Sequence, residues 1–211
     1  MARTLQAGLI LSALLLKGAC AAVAPPADPP GMVRVPAGSY RPLFATAEPE
    51  PVPAFWLDAR PVTNGEFLEF VRTHPAWRRS RISRALADTS YLAHWEADLK
   101  PGMRAPGDAP VTGVSWFAAR AYAQAHGKRL PTQAEWERAA AAGPDRDGTG
   151  DDPEFLRRIL RWYSQPSRLP LPPVRSTEAN LFGVWDLHGL VWEWVSDFNT
   201  ALVTGESRAD A

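Results

Sequence analysis

Nine tryptophans in a chain of 211 residues are the feature that most restricts how this protein can fold. An indole ring buries a large apolar area and has few rotamers to lose, so tryptophans can stabilise a domain that contains little regular secondary structure. We therefore expect a core built largely from aromatic rings. The rings assigned to that core are Trp116, Trp136, Trp192 and Trp194. Stacking of surface tryptophans on carbohydrate is the alternative.

The balance of charge gives no electrostatic reason to expect nucleic acid as a partner. Apolar residues make up 45% of the chain, which is ordinary for a globular protein and too high for a disordered one. The formal net charge is zero. Without residues 1–24, which contain Arg3 and Lys17 but no acid, 21 bases face 23 acids and the net charge is −2. Such a net charge draws the protein neither to nucleic acid nor to an anionic membrane surface.

The first 24 residues have the pattern of a secretory signal peptide. A basic start precedes an apolar run at 5–16, which is too short to span a bilayer, and small residues follow it. Cleavage after Ala21 fits the small residues before the cut. Two interpretations of Cys20 remain open, because Cys20 also resembles a lipidated lipobox cysteine, although Lys17 stands where that motif has Leu or Val. Either way we expect an exported protein, periplasmic or lipid-anchored.

The rest of the chain predicts one domain of mixed α+β type. A proline-rich linker covers 25–31, the domain covers 32–198, and a polar tail covers 199–211. Strands are predicted within 32–40 and at 55–58. Four helices are predicted from their capping residues, which are Thr63 (with Glu66), Ser115, Thr132 (with Glu135) and Asp152 followed by a proline.

Five segments carry a family resemblance. They lie at 32–39, 62–67 (VTNGEF), 110–116 (PVTGVSW), 127–137 (GKRLPTQAEWE) and 180–194 (NLFGVWDLHGLVWEW). Their order and spacing resemble those of the formylglycine-generating enzyme, or sulfatase-modifying factor, family. The resemblance implies an irregular α+β fold that is related to C-type-lectin-like folds and has little regular secondary structure.

The catalytic groups of the formylglycine-generating enzymes have no counterpart in this sequence. Formylglycine-generating enzymes bind copper(I) through two cysteines in the C-terminal part, because this soft ion selects thiolates, and oxidise a substrate cysteine. The only cysteine here is Cys20. The family's last segments are also not found after Phe198, so we expect a domain that is incomplete at its C-terminus. No catalytic residue and no copper site are assigned.

A related branch, the ergothioneine-type sulfoxide synthases, binds iron through three histidines. The four histidines of this chain show no helical ligand spacing, and no iron site is assigned. They are His74, His94, His126 and His188.

The resemblance further implies a calcium ion near the last segment, because family members bind one with side-chain and backbone oxygens there. The implied ligands are the side chains of Asp186 and Glu193 and the backbone carbonyls of Leu187, Gly189 and Val191. Leu190 replaces the asparagine that usually follows the glycine. The alternative is that Glu193 accepts hydrogen bonds from amides instead.

Three functions follow as hypotheses. The first is an exported, non-catalytic accessory or maturation module with a protein partner outside the cytoplasm, such as a periplasmic redox enzyme. The second is a truncated oxidoreductase of the family, which leaves enzymatic activity open. The third is a lectin-like module that binds carbohydrate or peptide. A membrane contact is expected only through a lipid on Cys20.

Overall fold

The computed structural model describes residues 28–40, 48–148, 152–166 and 169–198. The predicted signal peptide with Cys20, residues 25–27 of the linker and the polar tail lie outside these ranges. Within the described residues no helix is both long and apolar enough to cross a membrane.

Four short strands form two antiparallel pairs. The strands are β1 (Met32–Val35), β2 (Gly38–Tyr40), β3 (Glu50–Val52) and β4 (Phe55–Asp58). β1 pairs with β4 so that Val33 lies opposite Leu57, and β2 pairs with β3. The predicted strands are confirmed, but 32–40 holds two strands rather than one. β3 was missed because Pro51 at its centre is atypical of a strand.

Four α-helices occur among the described residues. They are α1 (Asn64–Thr73), α2 (Trp116–Ala125), α3 (Gln133–Ala140) and α4 (Pro153–Tyr163). Each begins directly after its predicted capping residue, and that side chain accepts a hydrogen bond from a backbone amide in the first turn. The mixed α+β fold predicted from the sequence is therefore confirmed.

One arrangement, R-x-x-T-x-x-E, fixes the starts of both α1 and α3. The two sets are Arg60, Thr63 and Glu66 for α1, and Arg129, Thr132 and Glu135 for α3. In each set the threonine and glutamate form a capping box, and the arginine binds both carboxylate oxygens, at 2.7 and 2.9 Å in the first and 2.6 and 2.7 Å in the second. Burial alone would raise the pKa of Glu66, but its bonds from Arg60 and Thr63 lower it to about 2. These polar residues therefore serve the fold.

Asn64 organises the larger of two cores. This core packs α1 and α2 against the irregular stretch 75–110, and its buried members include Phe67, Val71, Leu92 and Trp95. Asn64 is itself buried and donates from Nδ2 to the carbonyls of Pro106, Ala109 and Pro110, at 3.0 to 3.2 Å. Its Oδ1 accepts from Trp95 Nε1 at 3.1 Å. The asparagine of VTNGEF thus holds the irregular stretch against α1.

The smaller core lies between α3, the strands and residues 182–187. Val35, Ala139, Val184 and Leu187 are buried in it. Beside it the buried Arg138 binds both carboxylate oxygens of Asp147 at 2.7 Å and lies over the ring of Phe182. Gly38 approaches this guanidinium so closely that an added Cβ would lie 2.3 Å from Nε.

The prediction that four named tryptophans belong to the core is wrong for two of them. Trp192 is 79% exposed and Trp194 is 40% exposed, while Trp116 and Trp136 are half-buried. The tryptophan that does lie in the core is Trp95. Trp194 donates its indole N–H to the carbonyl of Val114, and Trp192 stacks on the exposed ring of Tyr163, so neither ring enters the core.

Candidate cation site and ligand cavity

The last described segment, 187–198, forms neither helix nor strand and is held by indole N–H groups. Indole N–H groups make three of the bonds that fix it: Trp116 Nε1 to the carbonyl of Val195 (2.9 Å), Trp194 Nε1 to the carbonyl of Val114 (2.8 Å), and Trp136 Nε1 to Glu193 Oε2 (2.6 Å). Each bond joins two parts of the chain that are far apart in sequence. The family's tryptophan positions therefore bring Glu193 and its neighbours to one place.

Asp186, the first predicted calcium ligand, is fully engaged in a turn. Its backbone is in the left-handed region, at φ 64°, and the residue is buried. Oδ1 accepts from Thr177 N at 3.0 Å and from Thr177 Oγ1 at 2.8 Å, and Oδ2 accepts from Arg175 N. These bonds connect residues 175–177 to Asp186, directly before the last segment. Asp186 therefore has a structural role of its own.

Glu193, the second predicted side-chain ligand, lacks a cationic partner among the described residues. Burial raises the pKa of its carboxyl to about 7; the hydrogen bond from Trp136 opposes this shift, and the negative charges of Asp186 and Asp58 add to it. Protein atoms surround the carboxyl, yet Glu193 keeps partial exposure because it borders a cavity. Its Oε1 accepts no hydrogen bond from any described residue.

The three predicted backbone ligands are also free of hydrogen bonds within the described part of the chain. No described donor binds the carbonyl of Leu187, Gly189 or Val191. Three carbonyl oxygens and Glu193 Oε1 therefore accept no hydrogen bond from a described donor, and oxygens of these kinds are the ligands that calcium prefers. No group of three or more His, Cys, Asp or Glu side chains that could hold a metal occurs in the described ranges. The predicted set has only two such side chains, so the calcium ion stays a prediction.

The four histidines lie in separate places. His74 stacks on Phe70, and His126 contacts the carbonyl of Tyr122. His188 Nε2 donates to the carbonyl of Ala140 at 2.9 Å, and burial lowers its pKa, which favours the neutral ring. Its buried Nδ1 has no partner among the described residues.

A cavity of about 660 Å³ lies beside the last segment. Its walls are mainly apolar and come from β1, β4, α2, residues 127–131 and residues 184–194. Other charged groups at its edge than Glu193 are paired, among them Asp58 with Lys128 at 2.5 Å and Arg60 with Glu66 at 2.7 Å. Sequence reasoning missed this cavity because its walls come from segments that are distant in sequence, and no local pattern marks them.

Fold and site together define a small mixed α+β domain whose aromatic last segment borders both a carboxylate without a cationic partner and an apolar cavity. The profile of the FGE-sulfatase family, described as "Sulfatase-modifying factor enzyme 1-like domain", matches residues 20–209. The chain belongs to this family.

Similar proteins carry several names. The chain is 30% identical to the serine/threonine-protein kinase Pkn1 of Chlamydia trachomatis serovar L2, over 70% of this chain and 23% of that protein. It is 31% identical to the formylglycine-generating enzyme of Streptomyces coelicolor, over 84% of this chain and 72% of the relative. It is 28% identical to the inactive C-alpha-formylglycine-generating enzyme 2 of Mus musculus, over 81% and 70%. The chain thus spans about a quarter of the length of the Pkn1 kinases that it matches.

Proposed function

We propose that this chain is an exported, non-catalytic accessory module that binds an extended apolar segment of a partner protein outside the cytoplasm, such as a periplasmic redox enzyme during its maturation. The observation that carries the proposal is the cavity of about 660 Å³ beside the β1–β4 pair. Its volume lies in the range of ligand pockets, roughly 300–1,000 Å³.

The neighbouring sheet favours a polypeptide as the ligand. Among the described residues β1 and β4 form a sheet of only two strands, and an isolated two-stranded pair is marginally stable in water. A third, extended segment would pair with the backbone groups of an outer edge. All four residues of β4, Phe55–Asp58, line the cavity, so side chains of a segment paired beside this strand could enter it.

The cysteine content supports a non-catalytic role for the chain as given. A copper(I) site of the family type needs two thiolates, and Cys20 is the only cysteine. Cys20 also precedes the predicted domain at 32–198 and belongs to the predicted signal peptide. The name of the mouse relative, an inactive formylglycine-generating enzyme, is consistent with this proposal.

A calcium ion is the cofactor of this proposal. Glu193 and the carbonyls of Leu187, Gly189 and Val191 would hold it, while Asp186 keeps the turn in shape. The ion would neutralise the Glu193 carboxylate and fix the last segment against the cavity. Its role would be structural, because the described residues around it include no nucleophile or redox group.

Dye displacement tests the cavity. A hydrophobic dye should bind the protein and gain fluorescence. Ala119→Phe should reduce that signal, because Ala119 lines the cavity. Ala125→Phe is the matched control, since Ala125 is an exposed residue of the same helix. A peptide of alternating valine and threonine should displace the dye, whereas the same peptide with central prolines should not, because proline lacks the N–H that pairing needs. Equal displacement by both peptides would refute strand addition.

An activity assay tests the non-catalytic part separately. The chain is incubated with copper, oxygen and a sulfatase-derived cysteine peptide, with the Streptomyces coelicolor relative as the positive control. We expect the relative alone to convert the cysteine to an aldehyde. An aldehyde formed by this chain would overturn the proposal, whatever the result with the dye.

A further inference from the structure

α4 carries a wider apolar arc than the domain covers. Its apolar residues are Phe155, Leu156, Ile159, Leu160, Trp162 and Tyr163. Three of them, Phe155, Ile159 and Trp162, point inward, where they line a second cavity of about 250 Å³ together with Ala140 of α3. On the outer flank Leu160 is 62% exposed and Tyr163 is 42% exposed. A helix that served only the core would place polar residues at these two positions.

Trp192 extends the apolar flank of α4 beyond the helix. Its ring lies parallel to that of Tyr163, with a centroid distance of 4.9 Å and an angle of 7° between the planes. With 79% of the residue exposed, one face of the indole is open to solvent. We call Leu160, Tyr163 and Trp192 the α4 patch.

Three arginines of α4 lie along one side of the α4 patch. Arg157 and Arg161 are exposed, and neither forms an ion pair with a described residue. Arg158 reaches Glu178 only at 3.9 Å, with both side chains mostly exposed. α4 therefore carries three arginines against one acid, Glu154, although the whole chain has no net charge. The sequence argument from overall charge does not apply to this local region.

We propose that the α4 patch is a docking surface for an anionic lipid bilayer. Tryptophan and tyrosine favour the bilayer interface, and an amphipathic helix with basic flanks lies in the plane of the interface. The arginines complement anionic headgroups. A neutral glycan would stack on the two rings, but it would not need the arginines. No membrane-crossing helix is required, because the contact is made at the surface.

Site-specific labelling tests this proposal in the full chain. In a Cys20→Ser background, Leu160→Cys receives an environment-sensitive fluorophore, and Met103→Cys is the matched control because Met103 is an apolar residue, 87% exposed, on a different segment. Vesicles of phosphatidylcholine mixed with phosphatidylglycerol should shift the emission at 160 to the blue and leave the emission at 103 unchanged. The control also separates docking of α4 from insertion of the N-terminal segment, which would not bring residue 160 into the lipid.

Charge and ring variants complete the test. Arg157→Gln combined with Arg161→Gln should lower the partition coefficient about 30-fold, since each basic residue near an anionic surface contributes about five-fold. Arg81→Gln combined with Arg84→Gln is the control for a change of two charges elsewhere on the surface. Trp192→Gln should also weaken binding, with near-unchanged thermal unfolding. The proposal is overturned by an unshifted label at 160, by equal shifts with pure phosphatidylcholine vesicles, or by a response to a glycan array without any response to vesicles.

Discussion

Removal of the Asn64 side chain gives a direct test of how VTNGEF holds the fold. In Asn64→Ala the carbonyl of Pro106 keeps a donor in the amide of Ala109, and the carbonyl of Ala109 keeps the amide of Asn64. Two buried groups are left without a partner: the indole N–H of Trp95 and the carbonyl of Pro110. Each orphaned group costs about 1–3 kcal/mol, so we expect a loss of about 2–6 kcal/mol in the free energy of unfolding.

Thermal unfolding measures this loss. For a domain of this size each kcal/mol lowers Tm by about 2–4 °C, so Asn64→Ala should shift Tm by on the order of 10 °C. Asn64→Asp keeps the acceptor for Trp95 but directs a carboxylate at three carbonyl oxygens. Its destabilisation should grow from pH 5 to pH 8 as the buried acid is forced to ionise. If Asn64→Asp is as stable as the parent at pH 8, the reasoning is refuted.

Four further predictions concern stability and processing. The pKa of Glu66 lies at about 2 instead of its ordinary 4.5, so its ion pair stabilises the fold above about pH 4.5 and loses this effect as the pH falls towards 2. Between these pH values the free energy of unfolding in urea should change by about 1–2 kcal/mol less in Glu66→Gln than in the parent. This figure is reduced because the side chain is 41% exposed. Gly38→Ala should cost about 1–3 kcal/mol through overlap with Arg138, whereas Gly107→Ala, where a Cβ meets nothing within 4 Å, should be neutral; equal losses would contradict this account. Calcium at 100-fold excess over its Kd should stabilise the protein by about 2.7 kcal/mol, and this shift should vanish in Glu193→Gln but not in the exposed control Glu69→Gln; an unchanged Tm of the parent on calcium addition would sink the site. Mass spectrometry of the exported protein should show a chain that starts after Ala21 and is unaffected by Cys20→Ser, and a lipid on Cys20 would show the other interpretation to be right.

Local features of the fold could be predicted because local chemistry decides them. A threonine or serine followed by an apolar helical period placed the starts of α1, α2 and α3, and Asp152 followed by a proline placed the start of α4. The arginine of R-x-x-T-x-x-E was not recognised, since its partner lies six residues away and no helical spacing links the two. The family segments identified the domain, which composition and periodicity alone could not have done.

The candidate site depends on contacts that no local pattern records. The large apolar area of an indole ring led to the prediction that Trp192 and Trp194 lie in the core. In the structure Trp194 donates its indole N–H to a backbone carbonyl, and Trp192 is exposed to solvent. The walls of the larger cavity likewise come from segments that are distant in sequence. The exposed side of α4 could be identified only after the structure showed which of its residues face inward. For Asp186 the resemblance implied a cation ligand, and the structure adds that its carboxylate accepts bonds from an amide and a hydroxyl, so its part in a cation site stays a prediction.

Indole N–H groups hold residues 187–198 in place, although few amides of this segment form hydrogen bonds. Its position can therefore be well ordered while its amides are unprotected against hydrogen exchange. From 187 to 198, Ser196 is the only described residue whose amide donates to a backbone carbonyl, that of Pro131. Hydrogen exchange should therefore be fast along the segment, although its position is fixed from the side. An exchange experiment read in the usual way would class this segment as loose, and a Trp→Phe scan, which keeps the ring and removes the N–H, would show that it is not.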